Sequence, residues 1–490
     1  MPVRTLLLVV SLVVASLAVD GGVAVALADL GPGGTFVDDD GHPAESYIEA
    51  AFAAGYLDGC DSAHPDRFCP SSRASWTDVD RGIVRAMGTG RSRLSCGSSF
   101  CSAVSIPVSA VAAALAVPLP GLVSMRRGEA PIDRATLAVM LSSAAHLELP
   151  EIQARRSFSI AATGDILPHT PLMSQAARND GDGGFDFDPM FADIKPIISA
   201  VDLGLCHLET PLSSDNAALS SYPVFYSPRE VAEAVVVAGY DGCSTASNHS
   251  FDKRTTGVLS TLGVIDEAGL GRAGTTDLAD GPSWWMYDVE GVTVAHLSYT
   301  YGLNGFRLPA DQPWLVNLID EEQIIADAAE VRELGAEFIA VSLHWGNEYQ
   351  PLPSSYQRGI AEALLASPDV DVIIGHHAHV VQAVEKINGK FVLYGLGNLV
   401  SNQFFSLPTQ DGVIAVLDVV EGVDGFSVAE IEFVPTKVER GSYRIVPISI
   451  ELGTELGQQD RIALEQSWQR TLEALSALDE SIAGMVAPIP

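Results

Sequence analysis

The chain has 490 residues, 62 acidic against 28 basic, a net charge of −34 and 47% hydrophobic residues. That length predicts two or three domains, and the apolar content supplies a large core and excludes a disordered chain. The acidity excludes non-specific binding to nucleic acid, which needs a basic face, and suits cations better than polyanions.

In chain order, Arg4 comes first, then the apolar run "TLLLVVSLVVASLAV" (5–19) and a small-x-small site at Ala26-Leu27-Ala28. Residues 1–28 therefore read as a signal peptide for export to the cell envelope or beyond. An uncleaved anchor is the rival reading, for which the run is short. Export permits disulfides. Of the six cysteines, close spacing suggests Cys60 with Cys69 and Cys96 with Cys101, leaving Cys206 with Cys243. Sequence alone allows other pairings. No CxxC occurs, which gives little support to a zinc knuckle.

Residues 29–150 form the next region. "FVDDDGHPAESYIEAAFAAGYLDGC" and the segment after it read as acidic turn, short helix, glycine turn, Cys-bounded loop and second helix. "RGEAPIDRATLAVMLSSAAHLELP" (127–150) reads as half of a second, degenerate copy of this unit. Between them, residues 103–123 are long and uncharged enough for a membrane span. Pro107, Pro118 and Pro120 interrupt them, and a helix-loop is predicted instead. "LPEIQARRS" (149–157) is a polar joint and a domain boundary.

Beyond it, strand-length apolar runs alternate with amphipathic helices, the pattern of an α/β fold over 157–455. The predicted strands are "FSIAATGD", "VDLGLCHLE", "GCSTASN", "TVAHLSYTY", "EFIAVSLHW", "DVDVIIGHH" and "KFVLYGLGN". "SPREVAEAVVVAGY" is a helix, with Ser227 as its cap, Pro228 in the first turn and Gly239 at its end. From Gly412, three segments alternate apolar and polar and predict antiparallel strands with one wet face. Residues 456–490 hold a last amphipathic helix and a tail.

Ligand-binding residues of open α/β sheets gather at the carboxyl ends of strands. Those ends carry Asp165 with His169 beyond, His207 and Glu209, Asn248-His249, His344 with Glu348 beyond, the trio His376, His377 and His379, and Asn398. Each alone has a plain explanation: Asp165 a turn former, Glu209 a helix-start carboxylate, Asn248 a left-handed turn. Together on one edge they have the chemistry of a two-metal site, in which two cations stabilise the attacking and leaving oxygens of a phosphoryl displacement. His377 and His379, two apart, project to one side of an extended segment, and Gly375 lets the chain turn.

The stretches "GDILPHTPL", "CHLETPL", "TASNHSFDKRTTGVLSTLGVIDEAGLGRAGT", "LHWGNEYQPLPSSYQRGIAEALL" and "DVDVIIGHHAHVVQAVEKINGKFVLYGLGNLV" resemble, in order, the CapA family of capsule and poly-γ-glutamate synthesis proteins. That resemblance implies the calcineurin-like metallophosphoesterase fold, a four-layer αββα sandwich, with two divalent ions of manganese, iron or zinc. It implies Asp165 and His379 at the first ion, Glu209 bridging, Asn248, His344 and His377 at the second, and His249 as general acid. His169 is a further candidate for the first ion. His376 fits no ligand position and is expected to orient a neighbour, and Glu348 and Asn398 are additional candidates. The chain departs from the phosphoesterase pattern at His169, four residues after Asp165 instead of two, at Glu209 in place of Asp, and at Ser247 in place of a second Asn.

Residues 29–150 resemble an S-layer-homology module, which implies attachment to a cell-wall or capsule polymer; a plain spacer is the rival. Two functions follow: a metal-dependent phosphoesterase-like hydrolase, or a non-catalytic protein that binds metal and polymer and assembles or tethers the envelope. No GxxxxGK[ST] occurs, so ATP-driven polymerisation would fall to a partner such as a membrane-bound synthase. Cys206 and Cys243 lie on the second and third strands. They read either as a disulfide behind the metal edge or as two buried thiols.

Overall fold

The structure is a computed structural model. It describes residues 156–489 except 280, 423 and 424, together with Ile48, Phe52, Arg73–Ser75 and Glu129–Asp133. The chain divides into two compact units, 1–156 with 421–424, and 157–420 with 425–490. In the first, Arg73–Ser75 pairs antiparallel with Glu129–Asp133. The signal peptide, the span candidate at 103–123, the first four cysteines and most of the wall-binding candidate lie outside the described residues. No helix among the described residues is long and apolar enough to cross a membrane.

The second unit is built around two large sheets laid down in three passes. Strands β1 (Ser157–Ile166), β2 (Leu203–Leu208), β3 (Gly242–Ser244) and β4 (Gly271–Ala273) start the first sheet. Strands β5 (Trp285–Val289), β6 (Val292–Thr300), β7 (Phe338–His344), β8 (Val372–His376), β9 (Val384–Ile387) and β10 (Lys390–Leu393) make the second. The chain then returns to the first with β11 (Asn398–Val400), β12 (Asp411–Gly422), β13 (Gly425–Val438) and β14 (Ile445–Pro447). The first sheet runs β14-β13-β12-β1-β2-β3-β4, with β11 on the end of β1; the second runs β9-β10-β8-β7-β6-β5. The centres of both are parallel: β1 to β4 in the first, and β6, β7, β8 and β10 in the second.

Alternation along single strands shows the layering. Phe158, Ile160 and Ala162 of β1 pack in one cluster with Phe338 and Ala340 of β7, so these faces meet between the sheets. The intervening Ile339, Val341 and Leu343 of β7 face Ile324, Val331 and Leu364 of the helices α1 (Glu321–Glu333) and α2 (Ser355–Leu365). A period of two with both faces apolar is what a strand buried between layers requires. On the far side, Ala161 and Cys206 pack with Val231, Val235 and Ile265 of helices spanning Glu230–Ala238 and Arg254–Ala268. The result is helix, sheet, sheet, helix, the four-layer αββα sandwich that the sequence resemblance implies.

Several local expectations change. The helix at Glu230–Ala238 ends on Gly239 with φ 102°, as its sequence indicates, but Ser227-Pro228 form a short strand and Arg229 occupies the cap position. Asp411–Ala415 of β12 is buried throughout, so the one-wet-face pattern holds only beyond Ala415 in β12 and in the first half of β13. "PISIE" is not strand beyond Pro447: Ile448–Leu452 is a short helix. The last helix runs Gln458–Leu475, and its Leu475 joins the core between the sheets.

Candidate metal centre

The centre forms where parallel strands of both sheets stop. β1 delivers Asp165, β2 delivers His207 with Glu209 just beyond, and the loop after β3 carries Asn248 and His249. β7 ends on His344 and β8 on His376, with His377 and His379 following. All nine are buried. Two glycines let the backbones close in: a Cβ at Gly164 would overlap the Gly397 carbonyl, and one at Gly375 would overlap that of Tyr394.

His377 and His379 do not lie on an extended segment. Both have left-handed backbones, φ 85° and 55°, so the histidines themselves carry the turn. Gly375 lies inside β8, and close approach, not turning, explains it. The rings of His377 and His379 still come together, centroids 6.0 Å apart.

The centre has two halves. In one, Asp165, Glu209 and His379 each offer an atom within 4.8 Å of the others. His379 Nδ1 is 3.1 Å from Asp165 Oδ2 and 3.1 Å from Asn398 Oδ1, and its Nε2 is 3.7 Å from Glu209 Oε1. In the other half, His344 Nε2 lies 3.0 Å from Asn248 Oδ1, and the His377 ring is 4.6 Å from that of His344. The exposed Glu348 lies between the halves, within 4.8 Å of His377 and His379.

Electrostatics separate the halves. Burial pushes the Asp165 carboxyl up, but the imidazoles of His376 and His379 outweigh it and hold the group well below the usual range. Burial drives Glu209 well above that range. Burial pushes His379 down, but the Glu209 and Asp165 carboxylates more than offset this and raise it to about 9. In the other half burial dominates, lowering His344 well below its ordinary value and His377 to about 3.

Neither carboxylate oxygen of Glu209 accepts a hydrogen bond, and His377 Nδ1 has no partner. A buried carboxylate in that state is costly unless a cation neutralises it. With imidazoles, carboxylates and an amide oxygen converging, the residues present fit a divalent cation.

His249 stands beside the ligand set. Its Nδ1 is 2.8 Å from Asp252 Oδ2, which also accepts the Phe225 backbone N–H at 2.6 Å. Asp252 was not among the sequence candidates, although it stands three residues after His249 in "NHSFD". His169 belongs to none of the three clusters found among the described residues. Its Nδ1 is 3.0 Å from the Leu167 carbonyl, its ring sits edge-on to Phe225, and burial lowers its pKa to about 4. His376 stacks on His207 with centroids 4.0 Å apart, and its Nδ1 is 3.6 Å from Asp165 Oδ1. His207, which the sequence places on the same strand edge, has no role assigned from sequence. Behind it, Cys206 faces Cys243 in the β2–β3 register and forms a disulfide with it.

Residues 159–403 match the family described as bacterial capsule synthesis protein PGA_cap. The PGA biosynthesis protein CapA of Bacillus subtilis is 28% identical over 273 residues, covering 54% of this chain and 71% of that protein. The capsule biosynthesis protein CapA of Bacillus anthracis is 26% identical over 272 residues, 54% of this chain and 65% of that one. The match thus spans about two thirds of these relatives. A probable polyglutamine synthesis accessory protein of Mycobacterium tuberculosis is 25% identical over 221 residues, 42% of this chain and 57% of that protein. Among solved structures the likeness is slight: the calcineurin-like phosphoesterase YfkN of Bacillus subtilis has a TM-score of 0.36 at 15% identity, covering 65% of this chain and 98% of that one.

Proposed function

The chain belongs to the bacterial capsule synthesis protein family PGA_cap, and from that premise we propose that it is an exported, metal-dependent hydrolase of a phosphoester or related acyl-type bond. It serves synthesis of poly-γ-glutamate or another envelope polymer, and residues 29–150 tether it to the wall. The observation that carries the reading is Glu209, a fully buried carboxylate with no hydrogen bond to either oxygen, grouped with Asp165 and His379.

Asp165, Glu209 and His379 would hold one ion, and Asn248, His344 and His377 the second, with Glu209 shared. Bound divalent ions supply Lewis-acid polarisation of a phosphoryl oxygen and lower the pKa of water. The residues around them do the rest. Asn398 fixes the His379 ring through Nδ1. Asp252 accepts the His249 Nδ1–H and so orients the ring; as general acid, His249 would act as the imidazolium, with its second proton on Nε2 delivered to the leaving oxygen. The Cys206–Cys243 disulfide and the N-terminal apolar run support export, since such bonds persist in oxidising compartments.

The test is elemental analysis of the purified chain, then turnover of p-nitrophenyl phosphate and its bis-ester with manganese, zinc or iron. Metal content together with turnover that vanishes in His249→Ala and Glu209→Ala supports the hydrolase. Metal content without turnover, and variants that behave as wild type, would leave an assembly or tethering protein.

A further inference from the structure

His207 is the buried histidine that the reading above leaves without a task. It is fully enclosed, and so is Ser244, its neighbour across the β2–β3 pairing. His207 Nδ1 is 2.7 Å from Ser244 Oγ, and His207 Nε2 is 2.9 Å from His344 Nδ1. Ser244 Oγ is also 3.3 Å from the Cys206 carbonyl. Both nitrogens of His207 are therefore engaged. Its near-parallel stack on His376, 12° between planes, also stops the two rings from aiming lone pairs at one point. Asp165, His207 and His376 offer ligand atoms within 4.8 Å of one another, but the engaged nitrogens give His207 a role other than ion ligand.

We propose that His207, backed by Ser244, is a positioning residue that sets the tautomer of His344 and leaves His344 Nε2 bare for an ion. The proposal rests on the two-half reading of the centre. A neutral imidazole has one N–H and one lone pair, so the proton on one ring dictates the proton on the next. In one sense of the chain, the Ser244 hydroxyl donates to His207 Nδ1, His207 Nε2–H donates to His344 Nδ1, and His344 Nε2–H donates to Asn248 Oδ1. That sense satisfies every group and blocks the ligand atom. In the other, His344 Nδ1–H donates to His207 Nε2, His207 Nδ1–H donates to Ser244 Oγ, and the hydroxyl turns to the Cys206 carbonyl. His344 Nε2 then presents a lone pair beside Asn248 Oδ1. Both rings stay neutral in each sense and no proton is gained or lost. A carboxylate or backbone carbonyl in the place of His207 would allow only the second sense.

The test uses the full-length chain stripped of metal by chelator, with His207→Leu, His207→Gln and Ser244→Ala. Cobalt(II) chloride is titrated in and followed by its visible absorption, and thermal unfolding of the stripped proteins checks folding. In His207→Leu one of the bound cobalt equivalents weakens by about 10–100-fold, the usual consequence of removing a ligand's outer partner. His207→Gln, whose amide oxygen accepts the His344 N–H, recovers most of that loss. In 15N-histidine spectra of the zinc-loaded wild type, His207 carries its proton on Nδ1; Ser244→Ala, which removes the hydroxyl that accepts this N–H, weakens the same cobalt equivalent. If His207→Leu does not fold, the tautomer of His207 in the zinc-loaded wild type decides. Equal weakening in the Leu and Gln variants, or His207 protonated on Nε2 in the zinc-loaded protein, overturns the relay. Wild-type cobalt binding with unchanged variants also overturns the relay alone. A wild type that takes up no cobalt overturns the metal reading and the relay with it.

Discussion

The two halves of the centre solve the same problem by opposite means. The Asp165–Glu209–His379 half contains charges and keeps them together: the carboxylates raise His379 to about 9, and the imidazoles hold Asp165 down. The Asn248–His344–His377 half contains no carboxylate, and burial keeps its histidines neutral. One half is thus an ion pair that a cation must break open. The other is a hydrogen-bonded chain that a cation has only to turn around. The difference teaches that the carboxylate half answers to pH while the imidazole half answers to hydrogen-bond geometry.

Removing the shared carboxylate should erase the difference. Glu209→Gln is expected to lower metal content in both halves and bring hydrolysis to background, as measured by elemental analysis and phosphoester assay; retention of all metal would mean that the halves do not share it. His249→Ala tests chemistry without touching either half: kcat should fall about 10²–10⁴-fold with metal content unchanged. Metal uptake sharpens the contrast in charge. In the metal-free protein His379, raised to about 9 by the neighbouring carboxylates, keeps its proton at neutral pH. Binding releases it, so affinity at this half should rise with pH by about tenfold per unit for each proton displaced. Calorimetry in buffers of different ionisation enthalpy reads that release, and an equal dependence in His379→Ala would place the proton elsewhere. The smallest effect concerns backbone. His377 holds a left-handed φ of 85°, so in the metal-free protein His377→Gly should be more stable than His377→Ala by about 1 kcal/mol in urea unfolding.

Much of this centre could be read from sequence, because parallel strands bury both faces and announce themselves as apolar runs whose next polar residue marks the edge. Asp165, Glu209, Asn248 and His344 are found that way. Several short strands were not, β4, β5 and β9 among them. β4 has three residues, and β5 and β9 are edge strands with part-exposed faces and no continuous apolar run. Spacing also misled at "GHHAH", where alternation assumes an extended chain that had already ended at His376. His207 was missed for a different reason. Its role depends on Ser244, 37 residues later, and on His344, 137 residues later, and neither separation leaves a local signature.

The close backbone contacts at Gly164 and Gly375 bear on how such a centre can diverge. Replacing one ligand by another donor changes which ion is preferred and leaves the frame standing. Adding a single methyl group at either glycine drives it into a neighbouring carbonyl that has no side chain to swing aside. The inventory of donors is therefore freer to drift than the clearance beneath it. A search keyed to the glycine of "GD" or "GH" detects that clearance first and the chemistry second.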